Sequence, residues 1–146
     1  MANREEKRNL ETIPVGSLGI ISLPGCKPLG EKVDQYLVKW RDTRHNAHKD
    51  NIAFKDYHRA SYIVNADTPR FGSGEAKGVI KDSVRGYDLY IMVDVTNYSE
   101  TYTVCGHENH MSPDNHFQDL KRIISATDGK AKRLNVIMPF LYEGRQ

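Results

Sequence analysis

The strongest constraint on the fold is the run YDLYIMVDV at residues 87–95, which is apolar on both faces for most of its length. A strand that is buried on both faces usually belongs to a parallel sheet with helices above and below it. The runs SLGIISL at residues 17–23 and LNVIMPF at residues 134–140 are also short, apolar and β-prone, and the second is another strand of the buried type. The sequence therefore predicts an α/β domain with a mostly parallel sheet and flanking helices.

Two amphipathic segments supply helices for such a sheet. Ser112 can cap a helix that has Pro113 at its first position and Asp114 near its positive end. A second helix is predicted from about residue 28 to residue 41, with Pro28 in its first turn. The apolar stripe expected to face the core of that helix comprises Leu29, Val33, Tyr36, Leu37 and Trp40. The helix after Ser112 is expected to bury Phe117, Leu120, Ile123 and Ile124.

The other segments show weaker patterns. Residues 61–64 and 75–81 are predicted to be strands, whereas residues 41–59 and 96–112 are interpreted as polar excursions. Residues 1–16 are polar and are interpreted as an arm, which leaves residues 17–146 as one domain.

Composition excludes several classes of protein. The net charge of +2 comes from 21 Lys and Arg against 19 Asp and Glu, so nucleic acid is not an expected partner. No apolar run reaches the roughly 20 residues that cross a bilayer, and the charged residues 1–11 lack the apolar segment of a secretory signal. With only Cys26 and Cys105, two free thiols in a reducing compartment are the plain interpretation. We expect a cytoplasmic protein without a membrane partner.

One turn combines side chains that suit a purine nucleotide. Gly72 and Gly74 permit a tight turn that exposes Phe71 and Glu75 together. An aromatic ring can stack on a base, and a carboxylate can accept a hydrogen bond from an exocyclic amine or a ribose hydroxyl. The alternative is an ordinary hairpin turn with a half-buried phenylalanine.

Two further sites suit anions. Ser83, Arg85 and the freed backbone of Gly86 could cradle a phosphate, although such residues are common in ordinary turns. Arg145 and Gln146 follow the last predicted strand, at the sheet edge where α/β proteins bind ligands. Both are residue types that contact phosphate oxygens and base edges, and the alternative is a polar tail.

In combination, four runs resemble one family. They are GIISLPGCKPLGEKVDQYL (19–37), FGSGEAKGVIKDSVRGYDLYIMVD (71–94), PDNHFQDLKRIISATDGKAKR (113–133) and RLNVIMPFLYEGRQ (133–146). In this order they resemble the amino-terminal part of ribose-phosphate pyrophosphokinases, the phosphoribosyl pyrophosphate synthetases. The resemblance covers most of residues 17–146, with residues 41–59 and 96–112 as insertions.

The resemblance implies a phosphoribosyltransferase-like domain of an enzyme that transfers diphosphate from Mg-ATP to ribose 5-phosphate. It implies a homo-oligomer in which Phe71, Ser73 and Glu75 approach the adenine of ATP bound by a neighbouring subunit. Arg145 and Gln146 would contact ATP from their own side, and Ser83 and Arg85 would form part of a regulatory phosphate site. No catalytic residue, metal ligand or tightly bound cofactor is expected in this stretch, so the chain alone is expected to be an inactive piece of a longer enzyme.

Two departures leave alternatives open. Ser73 stands where the family usually has Asp or Asn, and Glu143 replaces an expected aromatic residue. A non-catalytic regulatory relative is therefore the second hypothesis. A third is a zinc module built from Cys105, His107, His110 and His116. A fourth, nucleic-acid binding through residues 41–59, is the poorest because the basic residues there alternate with aspartates.

Overall fold

A computed structural model describes residues 14–47 and 57–145. Its helices are α1 (Lys27–Ala47), which follows a short 3-10 helix (Pro24–Cys26), and α2 (Pro113–Ala126). Its strands are β1 (Leu18–Ser22), β2 (Ala66–Asp67), β3 (Val79–Ile80), β4 (Asp88–Met92), β5 (Thr101–Val104), β6 (His107–His110) and β7 (Arg133–Ile137).

The central element is a parallel sheet in the order β1-β4-β7. Strand β4 lies between the other two, and Leu89, Ile91 and the following Val93 are completely buried. Ile63 extends the sheet past β1 by a single parallel bridge to Ile20. The predicted α/β class with a parallel sheet and flanking helices is thereby confirmed, and the apolar run at residues 87–95 is its centre.

The two helices cover opposite faces of this sheet. Val33 and Leu37 of α1 pack against the cluster that contains Ile20 and Met92. Leu120 and Ile123 of α2 belong to the other cluster, which also comprises Ile21, Leu23, Val64, Val84, Leu89, Ile91, Val93 and Val95. Because side chains alternate along a strand, β1 and β4 each supply residues to both clusters.

The apolar stripe predicted for α1 is only partly buried. Leu29, Tyr36 and Trp40 are exposed, and Trp40 retains 65% of its accessible surface. The buried contact with the sheet instead involves Gly30, Val33 and Leu37, and a Cβ added to Gly30 would lie 1.8 Å from the Ser22 hydroxyl oxygen. The predicted apolar stripe therefore includes residues that lie outside the buried face of α1. The helix also continues beyond residue 41 to Ala47, and residues 48–56 of the predicted excursion lie outside the described residues.

Strand β7 was wrongly predicted to be buried and to reach residue 140. It ends at Ile137, and Val136 and Ile137 remain about two-fifths exposed, at 40% and 42%. The reason is its position, because β7 pairs with β4 alone within residues 14–47 and 57–145. An apolar sequence indicates a strand that could be buried, but it does not show whether another strand or a helix packs against that strand.

The segment at residues 96–112 was wrongly predicted to be a loop. It contains β5 and β6, which pair as an antiparallel hairpin. Cys105 and Gly106 form its two-residue turn with φ of 51° and 79°, the left-handed values that favour such hairpins. Threonine and tyrosine in β5 suit strands, but the hairpin is solvent-facing and lacks the apolar alternation that indicates a half-buried strand.

The remaining elements agree with the sequence predictions only in part. Residues 61–64 contribute only the Ile63 bridge, and the strand predicted at 75–81 is reduced to β3. The predicted cap of α2 is confirmed, because the Ser112 hydroxyl accepts a hydrogen bond from the Asn115 N–H at 3.2 Å. Ile124 of α2 is exposed rather than buried.

In the part of the chain that the structure describes, no helix combines the length and apolar character needed to cross a bilayer.

Candidate functional site

The turn that follows β2 presents an aromatic ring and a carboxylate to solvent. Phe71 keeps 53% of its accessible surface, and Glu75 is also exposed. The Phe71 N–H donates to the Glu75 carbonyl at 2.7 Å, and the Gly74 N–H donates to the Phe71 carbonyl at 2.9 Å. Gly74 has φ of 89°, which an L residue rarely adopts. The structure therefore has the tight turn that the sequence predicted, and the Phe71 ring in it is open to solvent.

Ser73 occupies the outer side of this turn. Its hydroxyl donates to the Glu75 carboxylate at 3.2 Å. The contact aligns one carboxylate oxygen and leaves the second without a hydrogen bond inside the described chain. Glu75 therefore retains an acceptor for a ligand.

A buried ion cluster fixes the base of the turn to α2. The Asp119 side chain is 2% exposed and accepts from Arg70 at 2.7 Å and from Arg122 at 2.6 Å. Thr68 donates to the same carboxylate at 3.2 Å. This cluster was missed at the sequence level. The signal that could have found it is an aspartate beside the apolar positions of α2, where an ionised side chain requires a partner.

The β5–β6 hairpin lies beside the turn. The guanidinium carbon of Arg70 lies 4.7 Å from the centre of the Tyr102 ring. At the hairpin tip, the Cys105 thiol donates to the Gly72 carbonyl at 3.3 Å. This proximity was not predicted, because the two segments are 33 residues apart in the chain and no local pattern links them.

The zinc hypothesis finds no support in this arrangement. His116 is buried and its Nε2 bonds to the Asn97 carbonyl at 2.8 Å, while the His110 Nδ1 bonds to the Tyr98 carbonyl at 2.9 Å. Cys105 is directed to Gly72 instead. Among the described residues no group of three or more His, Cys, Asp or Glu side chains could hold a metal ion.

The segment after β7 is attached to the first turn of α2. The Tyr142 hydroxyl donates to the Asp114 carboxylate at 2.5 Å, and the hydrogen bond raises the pKa of Tyr142. The Tyr142 ring also contacts Phe117 edge-on, with 5.4 Å between the ring centres. Arg145 is exposed just beyond this anchor, whereas Gln146 lies outside the described residues.

Ser83 and Arg85 lie on the turn before β4, at the amino ends of the parallel strands. Both are exposed and flank the buried Val84. The Gly86 N–H donates to the Lys130 carbonyl at 2.9 Å, and Gly86 has φ of 76°. The turn is thus open to an anion from solvent. Because β4 runs parallel to β7, this turn is separated by the length of β4 from the segment that carries Arg145.

The structure therefore brings the sequence-predicted residues together only in part. Phe71, Ser73 and Glu75 share one turn, whereas Ser83 and Arg85 form a separate turn. No hydrogen bond, ion pair or ring contact within the described chain joins the Phe71 turn to Arg145.

Asp88, at the start of β4, is held by a two-pronged ion pair. Arg133 donates to its two oxygens at 2.7 and 2.5 Å, and Asn135 adds a hydrogen bond at 3.1 Å. Hydrogen bonding from Arg133 lowers the pKa of Asp88 below its ordinary value. The stabilisation is therefore complete above about pH 4 and is lost as the pH falls through the lowered folded-state pKa.

This linkage predicts a difference in acid unfolding. Asp88→Asn should be less stable than wild type at neutral pH, and its stability should fall less steeply below about pH 4. Urea unfolding followed by circular dichroism across the acid range measures both effects. Asp67→Asn is the control, since Asp67 makes an exposed ion pair with Lys81 at 3.6 Å and accepts one local hydrogen bond, from the Thr68 N–H at 2.9 Å. Parallel acid limbs for wild type and Asp88→Asn would contradict the assignment.

The comparison with protein families agrees with these features. A family model described as the N-terminal domain of ribose phosphate pyrophosphokinase matches residues 18–146. No curated protein and no solved structure matches the chain. The match spans the sheet, both helices and the Phe71, Ser83 and Arg145 turns. The chain therefore belongs to the family of ribose phosphate pyrophosphokinase N-terminal domains.

Proposed function

We propose that this chain is the N-terminal domain of a cytoplasmic ribose-phosphate diphosphokinase, which transfers diphosphate from Mg-ATP to ribose 5-phosphate for nucleotide biosynthesis. Family membership over residues 18–146 supports the class of enzyme. In this proposal the Phe71 turn reaches the adenine of ATP bound by a neighbouring subunit, Arg145 and Gln146 contact ATP on their own side, and a further domain completes each site. A homo-oligomer is supported by the exposed apolar residues Val136, Ile137, Phe140 and Leu141 on β7 and after it.

The observation that carries the proposal is the exposed ring of Phe71 on a rigid turn. A phenylalanine that packed for stability would be buried, yet this ring remains half exposed beside a carboxylate. The turn beneath it is fastened to α2 through Arg70 and Asp119. A ring that is fixed in place but open to solvent can stack on a base with little loss of conformational freedom. The free oxygen of Glu75 can then accept from the adenine amine or a ribose hydroxyl.

The phosphate end of the site is assigned to Arg145 and Gln146. Tyr142, three residues before Arg145, is anchored to Asp114 in the first turn of α2. A guanidinium there can bind phosphate oxygens through two parallel hydrogen bonds. Diphosphate transfer depends mainly on such positioning and on neutralising phosphate charge. Mg²⁺ would enter with the ATP phosphates, and Ser83 and Arg85 would bind a regulatory phosphate separately.

A second candidate, a non-catalytic regulatory relative, is favoured by one contact. The Ser73 hydroxyl already occupies one oxygen of Glu75, where an acidic or amide side chain would instead offer the base its own polar group. Such a domain would keep the fold and the oligomer but bind adenine less selectively. Equal affinity of the Phe71 turn for ATP and GTP would support this candidate.

The test is an ATP titration of the isotope-labelled chain followed by backbone amide resonances. We expect shifts at residues 71–75 with Kd of about 1 mM, since most walls of the shared pocket are supplied by other parts of the assembly. Phe71→Ala should weaken binding about tenfold because base stacking on an aromatic ring is lost. Trp40→Ala is the matched control, as it removes another exposed aromatic ring, that of Trp40 on α1.

Two results would contradict the proposal. One is the absence of any ATP-dependent shift in the turn at millimolar nucleotide. The other is an unchanged ATP affinity in Phe71→Ala while Trp40→Ala loses binding, which would place the base on α1.

A further inference from the structure

The β5–β6 hairpin belongs to a segment that the family resemblance leaves unassigned, yet it is held as a rigid element. Its strands pair from Thr101↔His110 to Val104↔His107. The Thr101 hydroxyl donates across the pair to Glu108 at 2.7 Å. At its root, the N–H of the buried Met111 donates to the Glu100 carbonyl at 2.8 Å. The hairpin therefore has a defined position relative to the core.

Its connection to the sheet is also fixed. The buried His116 of α2 bonds through Nε2 to the Asn97 carbonyl, and since a carbonyl can only accept, Nε2 carries the proton. The Asn97 amide in turn donates to the Gly25 carbonyl at 3.2 Å. The segment that leads into β5 is thus tied to α2 and to the loop after β1.

The far part of the hairpin contacts the Phe71 turn at two points. The Tyr102 ring covers the guanidinium of Arg70, the residue directly before Phe71. The Cys105 thiol bonds to the carbonyl of Gly72, the residue directly after Phe71. The hairpin therefore contacts the residues on both sides of the exposed ring, through the side chain of Arg70 and the backbone of Gly72.

Open space adjoins both the turn and the hairpin tip. A Cβ added to Gly72, Gly74 or Gly106 would meet no atom within 4 Å. Room therefore exists on the outer side of the two contacting segments, next to the exposed ring of Phe71. A purine stacked on that ring would lie within reach of the hairpin tip.

We propose that the β5–β6 hairpin forms a second wall of the purine-nucleotide site, with Tyr102 as a positioning residue for the Phe71 turn and the Cys105–Gly106 tip covered by the bound nucleotide. This inference rests on the proposed function and adds to it a part of the chain that the resemblance treats as an insertion. Tyr102 acts through Arg70. Cys105 contacts Gly72, the neighbour of the phenylalanine whose ring would hold the base.

The two cysteines make a direct test possible. Cys105 is exposed, whereas Cys26 is buried, and burial raises the pKa of the Cys26 thiol to about 11. Iodoacetamide should therefore alkylate Cys105 selectively, since the thiolate is the reactive form. With ATP at about three times its Kd, mass action predicts that alkylation of Cys105 slows about fourfold. Peptide mass spectrometry measures the rate at each cysteine.

Matched controls distinguish protection by the bound base from an effect of the phosphate charge alone. Inorganic tripolyphosphate carries the phosphates without a base and should leave the Cys105 alkylation rate unchanged. Phe71→Ala should remove most of the protection at the same ATP concentration. Protection by tripolyphosphate equal to that by ATP would overturn the assignment of the hairpin to the base side of the site.

Tyr102 is tested by a pair of substitutions. Tyr102→Leu keeps an apolar side chain but loses the ring over Arg70, and it should weaken ATP binding by about threefold to tenfold. Tyr102→Phe keeps the ring over Arg70 and should restore wild-type affinity. Amide spectra of each variant report whether the fold is intact. If Tyr102→Leu does not fold, the alkylation experiment on the wild-type chain decides alone.

The outcomes distinguish this inference from the proposed function. If ATP shifts the amides of residues 71–75 but leaves the Cys105 alkylation rate unchanged, the hairpin is not a wall of the site and the proposed function stands. If ATP changes neither the amides nor the alkylation rate, both are overturned. Slower alkylation together with Phe rescue at Tyr102 supports both.

Discussion

Asp119→Ala will destabilise the domain by about 3–5 kcal/mol, the usual cost of removing one partner from a buried ion cluster. The variant leaves Arg70 and Arg122 without their shared carboxylate, and the Arg70 side chain is only 8% exposed. Since a domain of this size is stable by about 5–15 kcal/mol, the loss is a large share of the total. Urea unfolding followed by circular dichroism measures it.

A matched control separates this effect from the loss of any surface ion pair. Asp128→Ala removes an exposed pair with Lys130 at 3.1 Å and should change stability by less than about 1 kcal/mol. If Asp119→Ala is too unstable to titrate, Asp119→Asn keeps the hydrogen-bond acceptor and should show an intermediate midpoint in thermal unfolding. Equal stability of the two alanine variants would refute the structural role of the cluster.

Gly78→Ala is expected to cost about 1–3 kcal/mol because it overpacks the contact between β3 and α2. A Cβ at Gly78 would lie 2.4 Å from the Arg122 carbonyl oxygen and 3.1 Å from the Ile123 nitrogen. Both are backbone atoms of a packed helix, so neither can move aside as a flexible side chain would. The segment that carries β3 would have to separate from α2, and the Phe71 turn with it.

Gly72→Ala provides the control for this substitution. A Cβ there meets nothing within 4 Å, so stability should stay within about 0.5 kcal/mol of wild type. Thermal and urea unfolding of the two variants give the comparison. A Gly78→Ala variant as stable as Gly72→Ala would show that β3 does not pack on α2 as described.

The elements that sequence predicted correctly are those in which local signals and burial agree. The run at residues 87–95 is apolar on both faces and forms the central strand, whose core residues are completely buried. Ser112 and Pro113 are strong helix-start signals, and α2 begins where they indicate. In each case the residues that define the element also determine its environment.

Predictions failed where the outcome depends on a distant neighbour. The apolar run in β7 does not reveal that the described chain leaves one edge of the strand unpaired. Trp40 has helical spacing to Val33 and Tyr36, yet it is exposed. The contact of α1 with the sheet runs through Gly30, Val33 and Leu37 instead. Helical periodicity defines a possible face, but packing selects which part of that face is buried.

The candidate site shows the same division. Gly72 and Gly74 next to Phe71 were enough to predict a tight turn, because backbone freedom is a local property. The bond from Cys105 to Gly72 and the cover of Tyr102 on Arg70 join segments far apart in sequence. Both contacts depend on how the hairpin and the turn pack beside α2, which no single segment encodes.

Two other segments of the chain are attached to helix α2, and the distance between the two attachment points limits how α2 can change in length. The terminal segment is fastened at Asp114 and the Phe71 turn at Asp119, five residues further along the helix. At 1.5 Å per residue these points are about 7.5 Å apart on a stiff rod, with a fixed angle between them. One residue inserted between them would swing one attachment by about 100° around the axis relative to the other. The spacing of the two attachments along α2 therefore tolerates only insertions close to one turn, of about three or four residues.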